Sequence, residues 1–79
     1  MRTLRDIAFE IQNDWITRKG QKIVTSALPY LNAMKSLDSV DDAYGLDSGR
    51  SIVLYFLANA GAWRGEKARE IKKELNKML

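Results

Sequence analysis

Histidine and cysteine are both missing from this chain of 79 residues, and proline occurs once. Without cysteine there is no disulfide, no thiolate nucleophile and no sulfur-rich zinc site. Without histidine there is no Ser–His–Asp or Cys–His pair and no His-Glu-x-x-His helix. Nor is there any side chain that titrates near neutrality when unperturbed. Most hydrolase and metal chemistries are thereby closed. Long apolar runs are absent too. The longest, Ile52 to Ala58, has seven residues, whereas a membrane span needs about 20. Arg2, Arg5 and Asp6 put charge where a secretory leader needs an apolar stretch. The expectation is a soluble cytoplasmic protein with no membrane contact.

What is present is ordinary for a globular domain: 46% apolar and 29% charged residues. No repeat, linker or low-complexity segment interrupts the chain, so residues 1–79 read as a single helical domain with one core. The net charge of +3 is uneven. Residues 38–50 carry −3, residues 51–63 carry no charge at all, and residues 64–79 carry +3.

Periodicity predicts helices. Thr3-Leu4-Arg5-Asp6 has the form of a capping box, with Asp6 at the positive end of the helix dipole. Leu4, Ile7, Ala8, Ile11 and Trp15 then recur on one face. Arg18 and Lys19 suit the negative end of that helix, and Gly20 stops it. Residues 20–25 read as a loop or an extended stretch. Ser26 or Thr25 can cap a second helix, because Pro29 is tolerated only in a first turn. Its apolar stripe is Ala27, Leu28, Leu31, Met34 and Leu37.

Ser39-Val40-Asp41-Asp42 is a second capping box, and Gly45 suits a left-handed residue after a short helical turn over Val40–Tyr44. Asp47 or Ser48 caps the next helix, which runs to Asn59 or Ala60. Its residues Ile52 to Leu57 are apolar nearly all round, predicting a helix buried on most sides at the centre of the fold. Gly61 ends it, and Trp63-Arg64-Gly65 forms a corner. Residues 65–78 make the last helix, with Ala68, Ile71, Leu75 and Met78 on one face. Glu70–Lys73 and Glu74–Lys77 are candidate i,i+3 pairs. The expected fold is all-α: a compact bundle of four helices plus one short helical turn.

Sites follow by elimination. The aspartates of residues 38–47 do not make a calcium loop: counted from Asp38, Val40, Ala43 and Gly49 fall where ligand oxygens and the turn glycine belong. The carboxylates sit at caps, in i,i+3 pairs or on polar faces, and every glycine from Gly45 onward reads as helix punctuation, so no phosphate loop exists. No cofactor and no catalytic or metal residue is indicated, and the expectation is that the chain is not an enzyme. Two helices joined by a Gly-containing corner have the shape of a helix-turn-helix. Arg64, Lys67, Arg69, Lys72, Lys73 and Lys77 would then face phosphates. Glu66, Glu70 and Glu74 adjoin the stripe of Arg69, Lys73 and Lys77, which favours an ordinary solvated helix over a nucleic-acid face. Trp15 continues an apolar stripe and reads as core. Tyr30, Tyr44, Trp63 and Arg64 are left unabsorbed by folding, and they are the candidates for contact with a protein partner.

Several segments, taken in order, resemble small proteins of this length encoded by tailed phages and prophages. They are Leu4-Arg5-Asp6-Ile7-Ala8 with Asp14-Trp15, Pro29-Tyr30-Leu31-Asn32-Ala33-Met34, Asp42-Ala43-Tyr44-Gly45 with Asp47-Ser48, Ile52 to Asn59, and Trp63-Arg64-Gly65-Glu66 with Ala68-Arg69. The resemblance brings no catalytic residues. It implies a bacterial cytoplasm and, by analogy with other small phage proteins, binding to a host or defence protein. A small core also makes an isologous homodimer energetically helpful.

Overall fold

Thr3 opens the first helix in the way its side chain permits. In the computed structural model, which describes residues 2–17 and 26–79, α1 spans Leu4–Thr17. The Thr3 hydroxyl accepts from the Asp6 amide at 3.0 Å. The two amides before it donate to the carbonyls of Asp38 (3.0 Å) and Leu37 (2.9 Å). The orphan donors of this helix end are thus satisfied by a distant segment of chain. Arg18, Lys19, Gly20, the 20–25 loop and the Thr25 cap lie outside the described residues.

The second helix, α2, spans Leu28–Met34 and carries Pro29 in its first turn, as its missing N–H requires. Its N-cap is Ala27, with no side-chain bond. Ser26, expected to cap it, instead donates its hydroxyl hydrogen to the Asn59 carbonyl at 3.2 Å.

The stretch expected as a short helical turn, Val40–Tyr44, is not one. It ends in a small antiparallel hairpin, β1 (Ala43–Tyr44) against β2 (Asp47–Ser48), with Ala43 opposite Ser48 and Tyr44 opposite Asp47. Gly45 has φ +64, the left-handed value expected for it. It is, however, the first of two loop residues in a hairpin and not a helix terminus. A positive φ at that position only is the mark of a type II′ turn, whose twist matches paired strands. Both side chains of the predicted capping box are engaged: the Asp42 carboxylate accepts from the amides of Asp38 (2.9 Å) and Ser39 (3.2 Å), and the Ser39 hydroxyl accepts from the Asp41 amide (3.1 Å).

Ser48 then caps α3, Gly49–Asn59, its hydroxyl accepting from the Ser51 amide at 3.1 Å. The amides of Gly49 and Arg50 donate to the carbonyls of Asp42 (2.6 Å) and Val40 (2.9 Å). Residues 37–42 therefore supply acceptors to the starts of both α1 and α3. The last helix, α4, spans Glu66–Met78 behind Gly65.

The core lies where the four helices meet. Every predicted stripe reaches it: Leu4, Ile7, Ala8, Ile11 and Trp15 from α1, Leu31 and Met34 from α2, and Ala68, Ile71 and Leu75 from α4 are buried. Ile52, Val53 and Phe56 join them from α3, and Leu37 from the loop. At its centre the rings of Trp15, Phe56 and Trp63 contact one another at centroid distances of 6.0–6.3 Å. Each such ring removes about 150–250 Å² from water, so three together form the largest apolar unit of the fold. α3 packs chiefly on α2, and α4 packs on α1. Across that second contact Arg2 forms a bidentate pair with Glu74 and reaches Glu10, which Lys67 also approaches at 3.3 Å. Glu74 is thus engaged by Arg2, and not by Lys77 as the i,i+3 spacing suggested. No described helix is long and apolar enough to cross a membrane.

Candidate functional site

The structure separates the four residues that the sequence offers for partner contact. Trp63 is fully buried. Its indole N–H donates to the Asp14 carboxylate at 2.9 Å, and its carbonyl accepts from the Lys72 ammonium at 2.7 Å. That corrects the expectation: the corner tryptophan is a core residue, anchored from α1 and α4, and offers no surface. Tyr44 is half-exposed on the hairpin. Arg64 is exposed and borders a pocket at the start of α4. Tyr30 is partly buried, and its ring lies 5.4 Å from that of Tyr55.

Tyr55, one of the aromatic residues that the sequence offers as either core or partner anchor and part of the apolar run expected to be buried, is half-exposed. α3 is not buried on most sides. One face carries Gly49, Ile52, Val53 and Phe56 into the core. The opposite face leaves Leu54 at 50% and Tyr55 at 48% exposure, with Ala58 exposed one turn on. Leu54 and Ala58 are four apart and Tyr55 and Ala58 three apart, so they share a surface. Tyr30 from α2 extends it. No charged residue occurs anywhere in 51–63. The result is an outward helix face built of a leucine, two tyrosine rings and an alanine. A helical wheel holds the clue: once Ile52, Val53 and Phe56 define the inner face, Leu54 and Tyr55 must point away from it. Leu46, at the hairpin tip, is fully exposed as well. Its signal was the Gly-X dipeptide of a hairpin loop, Gly45-Leu46.

The six basic residues divide four ways, with Lys73 exposed on α4 outside the groups that follow. Lys67 turns toward Glu10 on α1. Arg64, Arg69 and Lys72 border one open pocket of about 330 Å³. Lys77 borders another, beside Arg2, Asp38 and Asp41. Burial pushes the Lys72 ammonium down from its ordinary pKa, and the nearby Arg64 charge pushes it further. The connection from α3 to α4 is six residues, 60–65, longer than the 3–4-residue turn of a helix-turn-helix. Since α3 and α4 pack chiefly on other partners, the pair does not form that motif's mutually packed unit.

The acidic segment is absorbed by folding. Asp38 pairs with Arg5 at 3.0 Å, Asp41 with Arg50 at 3.8 Å, and Asp42 takes backbone amides. Among the described residues no cluster of acidic side chains could hold a metal ion.

Against this geometry, comparison with known proteins gives no relative: no family model, no curated protein and no solved structure matches the chain.

Proposed function

We propose that this is a small helical binding protein that acts by protein–protein contact through the outward face of α3. The observation that carries the reading is the pairing of exposure with the absence of charge. Leu54 and Tyr55 are each about half accessible, no charge occurs over residues 51–63, and Arg50, one turn before Leu54, reaches toward Asp41 and the Leu79 carbonyl. Tyrosine is enriched among the few residues that dominate protein interfaces, where one can contribute about 2 kcal/mol or more. A partner matching this face presents apolar groups at its centre and hydrogen-bond acceptors for the two tyrosine hydroxyls at the rim.

We further propose, from the sequence resemblance to small phage and prophage proteins alone, a setting in the bacterial cytoplasm with a host or defence protein as the target. The reading is of a binding protein and not an enzyme, because it rests on a surface and not on reacting groups. The test is affinity capture from bacterial lysate with the natural chain beside Leu54→Glu and Tyr55→Glu. A protein retained by the natural chain and lost from both variants supports the reading. A protein retained equally by all three, or none at all, overturns it.

A further inference from the structure

The pocket at the start of α4 has a different chemistry from the α3 face. We propose that it binds a dianionic phosphate group, free or as a small phosphomonoester. Its volume of about 330 Å³ lies within the roughly 300–1,000 Å³ of small-molecule sites. Three of its bordering side chains are cations, Arg64, Arg69 and Lys72, and among the described residues no carboxylate borders it.

This is a consequence of how α4 sorts its charges. Lys72 follows Arg69 by three residues, so the two share a flank. The glutamates lie elsewhere. Glu74 is held by Arg2, while Glu66 and Glu70 border a separate hollow with Asp14 and Lys67.

Lys72 is also positioned. Its ammonium donates to the Trp63 carbonyl and sits 5.7 Å from the centre of that indole ring. Two fixed features of the core thus aim the charge. Burial, and after it the nearby Arg64 charge, works against the charged form of Lys72. A bound dianion offsets this. Two arginine forks and an ammonium suit a phosphate, which presents two charges and three acceptor oxygens at one point. A duplex backbone fits less well, since Lys67 is tied to Glu10 and glutamates stand on the neighbouring flank.

The experiment is an amide NMR titration at low ionic strength. The probes are inorganic phosphate, adenosine monophosphate and a short DNA duplex, with sodium chloride at matched ionic strength as control. Saturable shifts at residues 61–65, 69 and 72 with phosphate or the monophosphate are expected. Equal binding of both assigns free phosphate, and tighter binding of the nucleotide assigns an organic monoester. Arg69→Gln should weaken binding about tenfold, as befits loss of a charge-assisted bond, while Lys77→Gln, outside the pocket, should not. Absence of saturable shifts, equal weakening by Lys77→Gln, or a response to DNA alone overturns the proposal. Leu54→Glu should leave the titration unchanged, which separates this site from the α3 face.

Discussion

The Cα of Gly49 rests against the backbone of Ser39, so closely that a Cβ there would stand 2.6 Å from the Ser39 carbonyl oxygen. The glycine is required by that approach, which brings the acceptors of residues 40 and 42 onto the start of α3. It is not helix punctuation. Gly49→Ala should therefore lower stability by about 1–3 kcal/mol, since backbone has to move to admit the methyl group. Gly61, with open space around its missing side chain, should accept alanine with a change within about 0.5 kcal/mol. Thermal unfolding followed by circular dichroism compares the two. Equal shifts would contradict the close approach.

Trp63 ties the corner to α1 and α4, so its substitutions report on folding. Trp63→Phe keeps a ring in the core but leaves the Asp14 carboxylate without the indole donor. A loss of about 1–2 kcal/mol is expected from the missing bond and the altered volume. Trp63→Ala should cost about 3–5 kcal/mol and threaten the fold outright. Denaturant unfolding measures both. A negligible loss in Trp63→Ala would mean that the indole is not in the core.

Glu10 makes the α1–α4 contact sensitive to acid. Burial pushes its carboxyl up, but Arg2 and Lys67 outweigh that and hold it below the usual value of 4.5. A carboxyl lowered by folding contributes stability that is complete above 4.5 and fades as the pH falls through its lower folded value. Glu10→Gln should melt below the natural chain at neutral pH and lose less on acidification. The gap between the two should therefore close at low pH. Both side chains are about one-third exposed, so the difference is modest and shrinks further in salt. Melting curves across pH 7 to 2 follow the gap. A gap that widens on acidification would contradict the sign.

The helices were legible because their signals are local and mutually consistent. Thr3 and Ser48 cap where their hydroxyls suggested, Pro29 marks a first turn, and the stripes of α1, α2 and α4 are the buried faces. The hairpin was not legible as such. Gly45 satisfies the φ of a helix terminus and of a type II′ loop alike, and only the pairing of Ala43–Tyr44 with Asp47–Ser48 decides between them. Trp63 misled for a related reason: a tryptophan between glycines looks exposed until Asp14, far off in sequence, supplies its partner. The α3 face was hidden by composition. The six apolar residues Ile52 to Leu57 suggest burial on most sides, yet α3 presents only one face to the bundle and leaves Leu54 and Tyr55 to solvent.

The central claim is that this face meets a protein partner, and site-directed photocrosslinking inside bacterial cells tests it most directly. A photoreactive residue replaces Tyr55 in one variant and Lys73, on the far flank of α4, in another. Tyr55 should yield a discrete adduct with a bacterial protein, and Lys73 should not. An adduct of twice 9.0 kDa would instead mark a second copy of the chain as the occupant. No adduct from Tyr55, or the same adducts from both positions, would contradict a partner-binding role for the α3 face.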